Sequence, residues 1–105
     1  MIKRNIEPVL RQMADHFKAV TITGPRQSGK TTLSRMVFPD KPYLSLEAPD
    51  VRRMALEDPR HLLSRYPDGC ILDEVQRVPD LLSYLQGILD ATSRPGRFIL
   101  TGSQQ

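Results

Sequence analysis

The residues whose types and spacing could do chemistry begin at Gly24. The stretch Gly24-Pro25-Arg26-Gln27-Ser28-Gly29-Lys30-Thr31 matches G-x-x-x-x-G-K-[ST] in full. Each residue type there has a physical reason. Gly24 and Gly29 permit turns that bulkier residues resist, so that backbone N–H groups can crowd round a phosphate. A helix opening at Gly29 would aim its free N–H groups and positive dipole end at the same anion. Lys30 would reach the β- and γ-phosphates as a mobile charge, and the Thr31 hydroxyl would ligate Mg²⁺. Pro25, Gln27 and Ser28 complete the cradle, and Thr32 is a candidate for the α-phosphate. Arg26 either helps neutralise phosphate charge or is a solvated loop arginine.

A second constellation is Cys70-Ile71-Leu72-Asp73-Glu74, an apolar run that ends in two carboxylates. In a parallel sheet, ligands sit beyond the carboxyl ends of the strands, the edge where a phosphate loop also lies. Asp73 would then face Mg²⁺ through water. Glu74 would orient or deprotonate an attacking water, which points to an ATPase rather than a phosphotransferase. A third run, Phe98-Ile99-Leu100-Thr101-Gly102-Ser103-Gln104, ends in hydroxyl and amide groups. Thr101, Ser103 or Gln104 could sense the γ-phosphate there; a self-satisfied Thr-Gly-Ser turn is the plainer alternative.

The elements that must position these groups follow from pattern and punctuation. Apolar Ile6, Val9, Leu10, Met13, Ala14 and Phe17 recur at helical spacing, with Pro8 in the first turn. Ala19–Thr23 is a β-prone run ended by Gly24-Pro25. Helical pattern runs from about Gly29 to Val37, and Tyr43–Glu47 reads as a second strand. Pro49 to Glu57 and Asp58 to Arg65 read as helices, the latter with an Asp-Pro start. Gly69 precedes the strand Cys70–Leu72, a helix covers Asp80–Thr92 with Leu81, Leu82, Leu85, Ile88 and Leu89 as its buried stripe, and Phe98–Leu100 is a fourth strand. Strands separated by helices predict an α/β fold with a mostly parallel sheet of about four strands.

Composition sets outer limits. The chain has 105 residues, 39% hydrophobic and 26% charged, with a net charge of +3. That is the balance of one globular domain, and the mild positive charge permits a nucleic-acid partner without requiring one. Arg52 and Arg53 are read as a solvated helix face rather than a DNA surface. The single cysteine, Cys70, excludes an internal disulfide or thiolate metal cluster and reads as a small buried hydrophobe. His16 and His61 lack metal-ligand spacing and are expected at the surface. No run approaches the ~20 apolar residues of a membrane helix, and the basic N-terminus has no signal-peptide core behind it. A cytoplasmic location is the expectation.

Together, GPRQSGKTT (24–32), LDEVQRVPDLL (72–82) and FILTGSQ (98–104) resemble the prokaryotic AAA-family ATPases of the additional-strand P-loop type. The likeness is greatest to ATP-binding proteins that carry a C-terminal domain of unknown function related to restriction-type nuclease folds. It covers essentially the whole chain. It implies a three-layer P-loop NTPase core, ATP and Mg²⁺ as ligands, and a sensor near Thr101. It supports the roles of Lys30, Thr31, Asp73 and Glu74 given above. Such a core also has a fifth strand beside the first, an arginine donated to a neighbouring subunit of a homo-oligomer, and a C-terminal domain. Residues 1–105 are therefore expected to be a partial AAA-type domain, truncated before the fifth strand. Hydrolysis is expected of the intact parent. The rival readings are a nucleotide-binding or interaction fragment without turnover and, disfavoured by Glu74, a P-loop kinase.

Overall fold

The computed structural model describes residues 3–25 and 28–103. Along the chain come α1 (Lys3–His16), β1 (Ala19–Gly24), α2 (Lys30–Val37), β2 (Tyr43–Ser45), α3 (Pro49–Glu57) and α4 (Pro59–Ser64). Then follow β3 (Cys70–Asp73), a 3-10 turn (Val75–Arg77), α5 (Leu81–Asp90) and β4 (Phe98–Ser103). The four strands make one all-parallel sheet in the order β1-β4-β3-β2.

Side-chain alternation along the strands decides the layering. Val20 and Ile22 of β1, Ile71 of β3 and Ile99 of β4 share one face, where they bury Leu10 of α1 and Leu33 and Val37 of α2. Cys70, Leu72, Phe98 and Leu100 point to the other face, onto Ala55, Leu62, Leu63, Leu81 and Leu85 of α3, α4 and α5. The result is helix, sheet, helix: the α/β architecture of a P-loop NTPase-like core. Phe98, Ile71, Leu72 and Ile99 have no accessible surface, and each such burial contributes about 1.5–3 kcal/mol against the entropy of ordering.

Several boundaries differ from the sequence pattern. Helix α1 starts at Lys3, so Pro8 lies in its second turn and withholds one intrahelical hydrogen bond. Its stripe is narrower than predicted. Leu10, Met13 and Ala14 pack on the sheet side, whereas Ile6, Val9 and Phe17 are exposed. The cause is its place near the sheet margin: among the described residues β1 pairs with β4 alone, and α1 touches only β1 and α2 closely. In α5, Leu81 and Leu85 are buried and Ile88 and Leu89 half-buried, but Leu82 turns outward. Strand β4 continues through Ser103, because Gly102 and Ser103 pair with Thr23 and Gly24; a free Thr-Gly-Ser turn is excluded.

Local signals worked where they had a mechanism. Asp58 caps α4 by accepting the His61 N–H at 3.2 Å. Gly69 enters β3 with φ +89°, and a Cβ there would stand 1.5 Å from the Arg97 carbonyl oxygen. His16 and His61 are exposed and Cys70 is buried. Among the described residues, no helix is long and apolar enough to cross a membrane.

Candidate functional site

The parallel register carries the ends of β1, β3 and β4 to one edge. Gly24 lies beside Ser103, and Leu72 beside Leu100, so Asp73 and Thr101 emerge at nearly the same level. At that edge Gly29, with φ 87°, turns the chain into α2, a conformation that a side chain would resist. The first turn of α2 then presents N–H groups that no residue within the helix can satisfy. A cavity of about 270 Å³ opens against them, lined by Gly29, Lys30, Thr31, Thr32, Glu47, Asp73 and Glu74.

Asp73 is the centre of one hydrogen-bond cluster. Its Oδ1 accepts the Thr31 hydroxyl at 2.8 Å and also the Thr101 hydroxyl. Its Oδ2 accepts the Tyr43 hydroxyl at 2.6 Å. Thr101 itself is fully buried and takes the Glu74 N–H at 3.0 Å. It therefore holds the two acidic residues in place from behind and does not line the cavity. Burial first, and then the bond to Asp73, push the Tyr43 phenol up to about 12, so it stays a donor at neutral pH.

Glu74 anchors a second cluster. It is the one non-glycine residue with positive φ among those described, at φ 60° and ψ 53°, a conformation costing about 1–3 kcal/mol. That twist ends β3 and turns the carboxylate back toward α2. There Oε1 accepts from Gln76 Nε2 at 2.8 Å and from Ser103 Oγ at 2.7 Å. Lys30 Nζ stands 3.4 Å from Oε2 and donates to Ser103 Oγ at 2.8 Å. Both partners of this ion pair are about 95% buried. Burial alone would raise the Glu74 carboxyl, but the Gln76 and Ser103 bonds and the Lys30 charge together hold it below its ordinary value. Nearby, Arg77 pairs with Glu47 at 3.1 Å, a half-exposed contact worth little by itself.

The residues singled out in sequence thus fall into one neighbourhood: Gly29, Lys30, Thr31, Thr32, Asp73 and Glu74 line the cavity, and Gly24, Thr101 and Ser103 stand behind or beside it. Pro25 and Ser28 lie on the loop, joined by a Ser28 N–H to Pro25 carbonyl bond of 3.3 Å. Arg26, Gln27 and Gln104 fall outside the described residues. Arg52 is not a free face residue, for it donates to the Leu46 and Glu47 carbonyls at 3.4 and 3.3 Å. Sequence reasoning missed Tyr43, Glu47 and Gln76. Only Gln76 left a trace, lying two residues past the acidic pair; the other two reach the site from β2 and its exit, which pattern alone cannot align.

A Mg²⁺ ion fits this donor set. Among the described residues no three His, Cys, Asp or Glu side chains group into a metal cage. Mg²⁺ does not need one: it takes one or two protein oxygens and fills its shell with water and phosphate. The Thr31 hydroxyl donates a hydrogen bond to Asp73, which leaves its lone pairs for a cation. A larger groove of about 720 Å³ lies between α4 and α5. No carboxylate is among the residues that line it, so volume does not mark the acidic pair here.

The fold is of the class of α/β P-loop NTPase-like cores, with a glycine-rich turn and an acidic strand end at one edge of its parallel sheet. More narrowly, the chain belongs to the AAA domain family, whose model matches residues 16–105. It is also 38% identical over 102 residues to the uncharacterized protein Mb2031c of Mycobacterium bovis and to the uncharacterized protein Rv2008c of Mycobacterium tuberculosis. Each match covers 96% of this chain and 23% of the relative. The chain thus spans about a quarter of the length of the curated relatives it matches. No solved structure matches it.

Proposed function

We propose that the cavity at the start of α2 binds ATP with Mg²⁺, and that the intact parent protein hydrolyses it. Residues 1–105 are in this view part of an AAA-type ATPase domain working in the cytoplasm. The observation that carries the proposal is the 2.8 Å bond between Thr31 and Asp73 at the mouth of a helix start. It joins two residues that chemistry alone would pair round a phosphate-bound cation.

Thr31 and Asp73 would hold Mg²⁺, which would supply neutralisation of phosphate charge. The loop 24–29 and the α2 N–H groups cradle the phosphates. Lys30 leaves Glu74 and Ser103 for the phosphate oxygens. Glu74, released from its ion pair and still fixed by Gln76, orients the attacking water and accepts its proton. Ser103, bonded to both Lys30 and Glu74, is better placed than Thr101 to register the γ-phosphate, and Thr101 keeps the carboxylates in position.

The Lys30–Glu74 pair also favours a second reading, binding without turnover by this segment alone. Here the phosphate lysine and the water-orienting glutamate neutralise each other, 3.4 Å apart and both buried. Binding and phosphate release measured side by side separate the two. In the parent protein Glu74→Gln should keep nucleotide affinity and lose turnover by a hundredfold or more, roughly the scale of general-base catalysis. Equal hydrolysis by that variant would remove Glu74 from its role.

A further inference from the structure

The Asp73 carboxylate has a partner that no phosphate-loop motif contains. Tyr43, the first residue of β2, lies beside Ile71 in register, two positions short of the Ser45–Asp73 level. Its ring packs against the core on the α1–α2 face, and the Arg35 guanidinium sits 4.5 Å over it. Packing would be met by phenylalanine. The hydroxyl is extra, and it reaches along the strand to Asp73 Oδ2 at 2.6 Å. Thr31 and Thr101 both use Oδ1. Tyr43 thus opposes them across the carboxylate, whose terminal torsion is broad and which Thr31 and Thr101 hold by one oxygen only.

We propose that Tyr43 is a positioning residue: its hydroxyl clamps Oδ2, so that Oδ1 stays turned to Thr31 and the cation-facing edge of Asp73 is fixed before ligand arrives. This rests on the Mg²⁺-nucleotide proposal above. Partners of metal-facing carboxylates commonly carry a tenfold to hundredfold share of metal affinity.

The test measures affinity for a fluorescent ATP analogue with Mg²⁺ and again in excess chelator, for the native chain, Tyr43→Phe, Tyr43→Met and Asp73→Asn. The ratio of the two affinities is the Mg²⁺ increment. Asp73→Asn should abolish it. Both Tyr43 variants should lose at least about tenfold of it, while their chelator affinity stays within about twofold of native, which also reports that they are folded. A merely structural role would move both affinities together, and that result overturns the proposal. So does a full increment in either folded Tyr43 variant when Asp73→Asn has lost its own. If the native chain shows no increment, or Asp73→Asn keeps it, the metal site itself is wrong and the clamp falls with it.

Discussion

Glu74 shows how one residue can carry both strain and charge. Its left-handed backbone is tolerable because Thr101, Gln76, Ser103 and Lys30 each hold some part of it. Its carboxyl titrates below the ordinary 4.5 in the folded chain, so folding favours the ionised form. The stabilisation is complete above that value and is lost as pH falls through the lowered folded value. Thermal midpoints should therefore drop as the native chain is taken below about pH 4.5, and Glu74→Gln should show a shallower slope. Parallel slopes would mean that other carboxyls set the acid limit. Cys70 makes an opposite case, since burial pushes its thiol up to about 12. Without thiolate it is a poor nucleophile. An alkylating reagent at neutral pH should modify it only in denaturant, and fast native labelling would show that β3 opens.

At the scale of elements, two glycines make contrasting predictions. Gly87 sits inside α5, and a Cβ there would meet nothing within 4 Å. Gly87→Ala should stabilise by about 1 kcal/mol and raise the thermal midpoint by about 4–8 °C. Gly69 has positive φ and no room beside the Arg97 carbonyl. Gly69→Ala should cost about 3 kcal/mol, by strain and displaced backbone together. Elements with a local signature were legible in the sequence. Cys70–Leu72 and Ala19–Thr23 announced strands by apolar, β-prone runs closed by turn residues, and Asp58-Pro59 announced a helix start. The polar end of β4 was hidden, since Thr101-Gly102-Ser103 has turn composition and becomes strand only through pairing with β1. The exposed Val9 and Phe17 were equally hidden, because periodicity shows that a helix has an apolar side and not how much of it a neighbour covers.

Over the whole molecule, the site depends on sheet order more than on any motif. Placing β4 between β1 and β3 brings Ser103 to Lys30 and Thr101 to Asp73, contacts between residues 73 and 28 positions apart. Order of this kind is set by packing of α1 and α2 on one face and α3 to α5 on the other, and local pattern does not encode it. The glycine-rich turn and the acidic pair that share the cavity were legible as residue types; Tyr43 and Glu47 were not, because only tertiary register brings them there. A ligand that binds the folded chain alone must also stabilise it, by about 2.7 kcal/mol at a hundredfold excess over its Kd. Mg·ATP should therefore raise the midpoint of the native chain by several degrees and leave Lys30→Ala unmoved.

The central claim is that triphosphate lies where β1 passes through the glycine loop into α2, facing Asp73. Titration calorimetry of Mg·ATP into the native chain and into Lys30→Ala, with both variants shown to unfold cooperatively, tests it most directly. Saturable binding by the native chain and none by the variant is the expected pair of results; equal affinity in the two, or no binding by the native chain, would contradict it.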